Sequence, residues 1–205
     1  MSAGLTRFLV LAVVVLAAAV LNSPTRAATP SEFIAKLGDD AVQMLGSKEL
    51  SDQQKVDQFR TLLTKGFDVA LIGRLVLGRN WRTASDQERN EYTKLFEQFI
   101  VDSYASRLGR YGGESLKVKG ARADDADFIV ASDLIQPNGP PVKIEWRLRG
   151  KDPDYRVVDI IVEGVSMVIT QRDEFAAVVQ RCGGRLDCLF DRLRDKNFAA
   201  ASGKK

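Results

Sequence analysis

Apolar residues recur along this chain first with a helical rhythm and then with a strand-like one. Thr29-Pro30-Ser31-Glu32 supplies an N-cap, a proline at the first helical position and a glutamate at the third. Phe33, Leu37, Ala41 and Leu45 then share one helical face, and Gly46 ends the segment. Ser51-Asp52-Gln53-Gln54 opens a second helix in the same way, with Val56, Phe59, Leu62 and Leu63 apolar. A short, strongly apolar third helix covers Val69 to Leu77 and stops at Gly78. Ser85-Asp86-Gln87-Glu88 starts the longest helix, whose Tyr92, Leu95, Phe96, Phe99, Ile100 and Tyr104 follow the 3.6-residue period. It is expected to run to about Leu108, before Gly109, Gly112 and Gly113 break it.

The period becomes two after Glu114. Leu116 and Val118 alternate with Lys117 and Lys119, and Phe128 to Ile135 is β-rich behind the turn Asp124-Asp125-Ala126. After a second turn at Asn138-Gly139-Pro140-Pro141, Val142, Ile144, Trp146 and Leu148 alternate with Lys143, Glu145, Arg147 and Arg149. That strand has one dry and one wet face. A third turn, Lys151-Asp152-Pro153-Asp154, leads to a fourth strand from Tyr155 to Val162. Short turns between consecutive strands predict an antiparallel meander of four strands. Two more helices are expected around 171–181 and 186–195, then a frayed tail, 199–205. Helices first, sheet second and helices last give an α+β domain whose amphipathic helices cover the dry face of the sheet. Periodicity leaves open whether the space between is filled by side chains or encloses a pocket.

The unbroken apolar run Phe8 to Leu21, with Arg7 as the one charge before it, is too short to span a bilayer. With Asn22-Ser23-Pro24 and Thr25-Arg26-Ala27 after it, it reads as a secretory signal, residues 1–27, cleaved after Ala27 or one residue later. A single domain, 28–198, is expected beyond it. Removing Arg7 and Arg26 turns 30 basic and 27 acidic residues into 28 and 27, so no concentrated basic charge argues for nucleic acid. Histidine is absent, which removes the commonest general base and metal ligand. Cys182 and Cys188 flank Gly183-Gly184; in an oxidising compartment this pair can close a small disulfide loop, and two buried thiols are the alternative.

Catalytic arrangements are thin. Gly164-Val165-Ser166-Met167-Val168 begins like a nucleophile elbow but ends in valine and has no histidine to activate Ser166, which reads as a turn or helix cap. Gly109 to Gly113 has neither the spacing nor the strand-helix context of a phosphate loop and reads as a loop. Asp124, Asp125 and Asp127 lack the ligand spacing of a calcium loop and read as a solvated hairpin tip. Lys117, Lys119 and Arg122 read as a wet strand face.

Two stretches carry a resemblance. The first is Gly66-Phe67-Asp68 and Leu75-Val76-Leu77-Gly78-Arg79-Asn80-Trp81-Arg82, continuing to Ser85, Glu88, Arg89, Phe96 and Tyr104. The second is Val157-Val158-Asp159-Ile160-Ile161-Val162-Glu163-Gly164-Val165-Ser166, followed by Gln171-Arg172-Asp173-Glu174-Phe175. In this order, over about Phe33 to Lys196, they resemble the MlaC family, the toluene-tolerance auxiliary component of an ABC lipid transporter. The resemblance implies a cone-like fold whose curved sheet and helices enclose an apolar cavity. It implies a periplasmic shuttle passing phospholipid between an outer-membrane lipoprotein complex and an inner-membrane complex of an MCE-domain protein and an ABC transporter. It implies no cofactor and no enzymatic step. A branch associated with hopanoid-producing bacteria adds hopanoid as a second ligand. Asn80, where an aromatic residue is commoner, and the cysteine pair depart from the family pattern.

A two-chain lipid exposes about thirty methylenes on leaving a bilayer, at about 0.8 kcal/mol each, so a carrier must offer an apolar container. The expected wall is Phe67, Leu71, Leu75, Trp81, Phe96, Phe99, Ile100 and Tyr104 from the helices, facing Val142, Ile144, Trp146, Val158, Ile160 and Val162 from the sheet. The same residue types also make ordinary core. Arg74, Arg79, Arg82 and Arg172 are solvated or ion-paired, or else meet a phosphate or a partner's acidic patch. The competing readings are a small hydrolase or isomerase on a similar cone, marked by a buried Asp paired with a Tyr, and a lipid-free adaptor.

Overall fold

The computed structural model describes residues 28–108 and 111–202, so residues 1–27, expected to be a signal, and Gly109 lie outside the described residues. The helices begin where local chemistry starts them. In α1 (Pro30–Gly46) the Thr29 amide donates to Glu32 Oε2 at 2.7 Å while Thr29 Oγ1 accepts from the Glu32 amide at 3.2 Å. The same reciprocal box joins Ser51 to Gln54 at α2 (Asp52–Gly66) and Ser85 to Glu88 at α5 (Asp86–Leu108). Each satisfies donors that a helix start leaves free. Asp68 caps α3 (Val69–Leu77), accepting from the Leu71 amide at 2.9 Å.

Gly78 then separates α3 from the one-turn α4 (Arg79–Thr83) with φ 59° and ψ −127°, a conformation that side chains strongly resist. At Gly73 a Cβ would lie 2.9 Å from the Phe96 ring, so glycine is what lets α3 approach α5. The buried Tyr92 hydroxyl donates to the Gly73 carbonyl at 3.0 Å and fixes that approach.

The sheet is an antiparallel meander: β1 (Ser115–Asp124), β2 (Asp127–Ile135), β3 (Val142–Arg149), β4 (Arg156–Val162) and β5 (Val165–Ser166), in that order. The sequence pattern predicted four strands; β5 is the fifth, formed by two residues that fold back at Glu163-Gly164, too short to show alternation. Ser166 ends β5 and caps α6 (Met167–Arg181): Oγ accepts from the Ile169 amide at 3.1 Å and donates to Asp159 at 2.5 Å. Helix α6 therefore starts four residues before the expected Gln171.

Cys182 and Cys188 are bonded across the loop to α7 (Leu186–Arg194), with Gly183 and Gly184 at positive φ. Of the tail expected to fray, 199–205, residues 199–202 belong to the helix α8 (Lys196–Ser202) with Ala199 buried, and 203–205 lie outside the described residues. Among the described residues no helix is long and apolar enough to cross a membrane.

Among the described residues, buried side chains form two clusters. The larger lies among the helices, where Leu63, Val76, Tyr92, Phe96, Phe99, Phe175, Phe190 and Leu193 pack together. The smaller seals one end of the sheet: Ile34 of α1 packs with Val130, Leu148, Tyr155 and Val157. Phe67 touches both, and the Asp68 amide donates to the Val157 carbonyl at 3.0 Å, tying the α2–α3 junction to β4.

At the Asp124–Asp127 hairpin Asp125 and Ala126 are exposed, as expected of a solvated tip, but Asp127 is not. Asp127 is buried, and both its oxygens accept from Arg149 at 2.8 and 3.0 Å; Arg147 reaches Asp124 at 2.7 Å. The Arg149 hydrogen bonds hold the Asp127 carboxyl below its usual range. A depressed folded pKa gives stabilisation that is complete above about pH 4, where unfolded aspartate is ionised, and lost as pH falls through the folded value. Asp127→Asn is expected to cost about 1–2 kcal/mol at neutral pH, a modest figure because Arg149 is half exposed. It should also flatten the loss of stability on the acid side. Urea melts at neutral and acid pH measure both effects, and an unchanged acid slope would contradict the assignment.

Candidate functional site

The register of the meander gathers four cross-strand rows on one face of the sheet. They read Ala123–Phe128–Leu148–Val157, Ala121–Val130–Trp146–Ile160, Val118–Ser132–Ile144–Val162 and Leu116–Leu134–Val142. Each row brings mostly apolar side chains together because alternate residues share a face. Bulges at Lys119 and Val158 shift the register of β1 and β4 and increase the local twist.

Burial changes across the rows. Leu148, Val157 and Val130 are fully buried under Ile34. Val142, Ile144, Trp146, Ile160 and Val162 are half-buried. Trp146 and Ile160 lean against the smaller cluster, whereas Val142, Ile144 and Val162 belong to neither cluster. The sheet thus presents a sealed floor and a half-covered apolar end.

One polar group interrupts this wall. Ser132, 2% exposed, accepts from Trp146 Nε1 at 2.9 Å and donates to the Ile144 carbonyl at 3.3 Å. The bond gives the indole N–H a partner within the apolar face and leaves Ser132 satisfied. Sequence reading missed Ser132, Val118 and Leu134 in this wall, although the alternation Phe128, Val130, Ser132, Leu134 marks the β2 members of it.

The helical residues expected to face the sheet separate into different places. Phe67 sits at the junction of the two clusters, and Leu71 beside it is half-buried. Phe96 and Phe99, each 2% exposed, instead fill the helical core: Phe99 lies 5.4 Å from the Phe175 ring and 5.7 Å from Phe198. Long helix α5 turns its aromatic face to α6, α7 and α8, elements the periodicity of α5 alone does not disclose. Ile100 packs on that core, and Tyr104 is exposed with its ring 6.0 Å from Phe59. Leu75 and Trp81 line a separate groove between α3, α4 and α6, along with Arg74, Arg79, Arg82 and Arg172. Val158 is buried at the β4 bulge.

The buried polar groups are occupied structurally. Tyr92 donates to a carbonyl, and burial pushes its pKa well above the ordinary value. Asp127 is held by arginines and Ser166 by its cap and Asp159. None of these forms the Asp–Tyr pair that the enzymatic reading needs.

An antiparallel meander with a half-open apolar face, set beside a separate helical core, defines an α+β domain. The MlaC protein family model matches residues 35–195, and the chain belongs to that family. It is 25% identical over 189 residues to the intermembrane phospholipid transport system binding protein MlaC of Haemophilus influenzae, covering 86% of each chain. It is also 26% identical over 111 residues to the toluene tolerance protein ttg2D of Pseudomonas putida, 54% of this chain and 52% of that one. The fold matches the phospholipid-binding protein of Ralstonia solanacearum, solved in complex with a phospholipid. The TM-score is 0.72 and the identity 23%, over 87% of this chain and 100% of the other.

Proposed function

We propose that this protein is a periplasmic carrier that shields the acyl chains of a phospholipid against the half-covered apolar end of the sheet. The observation that carries the reading is the row Val142, Ile144 and Val162, with Trp146 and Ile160 beside it: apolar, half-buried and claimed only in part by either core. An apolar surface left in this state costs free energy at about 25 cal/mol per Å² unless something apolar covers it. A lipid tail does so without chemistry. The names of the relatives point the same way, since one belongs to an intermembrane phospholipid transport system.

In this reading the lipid travels between an outer-membrane lipoprotein complex and an inner-membrane complex of an MCE-domain protein and an ABC transporter. Release needs only a partner that binds the empty form better than the loaded one, because linkage then expels the lipid. Native mass spectrometry of the protein from the periplasm of its own host tests the proposal. A bound mass matching a phospholipid is expected, and a hopanoid mass would redirect the ligand. An unliganded mass under mild desolvation would overturn the carrier reading.

A further inference from the structure

The groove between α3, α4 and α6 lies apart from the apolar sheet face and has its own chemistry. It encloses about 500 Å³, and its floor is Leu75, Leu77, Trp81 and Ala176. Four arginines surround that floor: Arg74, Arg79 and Arg82 from one side and Arg172 from the other. Arg172 pairs with Asp173, the one acidic residue that lines the groove, whereas Arg74, Arg79 and Arg82 have no ion-pair partner among the described residues. Such a concentration of uncompensated positive charge around an apolar floor is unfavourable in isolation and favourable toward an anion.

Apolar side chains are exposed in the groove and along the start of α6. Leu75 is 44% exposed in the groove, and Ile169 is 50% exposed one turn before Arg172 and Asp173 on the same face of α6. Val165, 53% exposed, directly precedes the cap of that helix. The indole of Trp81 is held against Tyr92 with the Arg89 guanidinium 5.7 Å from it, so the floor is rigid. A bilayer surface is flat; a cleft walled by two helices suits a narrow polypeptide better. The backbone shape, the apolar floor and the arginine rim are together complementary to one class of partner.

We infer that this groove docks an acidic segment of a partner protein, with an apolar side chain of the segment seated near Leu75 and Trp81 and its carboxylates on Arg74, Arg79 and Arg82. On the proposed function the lipid occupies a different face, so the surface is available whether the carrier is loaded or empty. The guanidinium forks take carboxylates in paired hydrogen bonds, and screening by salt weakens the contact.

A fluorescein-labelled peptide alternating Glu and Asp with Leu, titrated with the full-length mature protein at low ionic strength, tests this by anisotropy. Saturable binding is expected, weakened about tenfold or more by the double variant Arg79→Glu, Arg82→Glu and by Leu75→Asp. All three positions are exposed, so these variants are expected to fold, and far-ultraviolet circular dichroism confirms it before titration. Arg79→Lys with Arg82→Lys should keep most of the binding. The proposal is overturned if a peptide with Gln and Asn in place of the acids binds equally, or if the charge-reversed protein binds as well as wild type. Arginine-dependent binding to phosphatidylglycerol vesicles with no binding of the peptide would also overturn it, and would assign the groove to a membrane surface.

Discussion

Phe99→Asp is expected to unfold the protein outright rather than to give a folded chain with altered binding. Phe99 is 2% exposed and stands between Phe175 and Phe198, at ring separations of 5.4 and 5.7 Å. Truncating such a ring to alanine already costs about 3–5 kcal/mol through lost burial and the cavity left behind. A carboxylate in its place adds the cost of an unpaired buried charge, or of protonating it. A domain's whole stability is about 5–15 kcal/mol, so the sum removes most or all of it. The helices gathered around this core come from both ends of the chain, with α2, α3 and α5 preceding the sheet and α6 to α8 following it. Loss of the core therefore undoes the closure of the chain and is not a local defect. Loss of the near-ultraviolet circular dichroism signal and of a cooperative thermal transition is the expected result. A folded Phe99→Asp protein with a normal transition and no bound lipid would place Phe99 in the ligand wall and refute the core assignment.

What the sequence discloses follows the range of the interactions. The reciprocal caps at Thr29, Ser51 and Ser85 are local, involve residues three apart, and are legible as written. The strict alternation in β3 is equally local, because one dry face needs every second residue. The period of α5 announces an apolar stripe but not its partner. That partner proved to be Phe175, Phe190 and Phe198, far along the chain, so Phe96 and Phe99 read as ligand wall until the helices are packed. In α1 the expected face held Phe33 and Leu37, yet the completely buried residue is Ile34, since the helix rolls to the angle that its contact with the sheet sets. The alanine-rich tail looks frayed because composition does not reveal the pocket that takes Ala199. The arginines of the groove are visible one by one, but only the Gly78 turn and the packing of α3 on α6 bring them together.

Ile144→Asp is expected to do the opposite of Phe99→Asp, leaving the fold intact and abolishing the lipid. Ile144 is half-buried, stands between Ser132 and Val162 in its row, and belongs to neither core cluster. An aspartate there keeps access to water in the empty protein, so the charge need not be buried for the chain to fold. The cost should stay within about 1–2 kcal/mol, from lost partial burial and weaker strand propensity. The same carboxylate facing an acyl chain must either shed its water or exclude the chain, and both penalties fall on the loaded state alone. A differential of about 3 kcal/mol already weakens the affinity for lipid about a hundredfold. Thermal melting should thus move only slightly while the lipid adduct disappears from the native mass spectrum, and Ile144→Ala should show a weaker loss of the same kind. An Ile144→Asp protein that keeps its full lipid complement would remove this row from the binding wall. One that fails to fold would show that the half-covered end of the sheet is closed by packing after all.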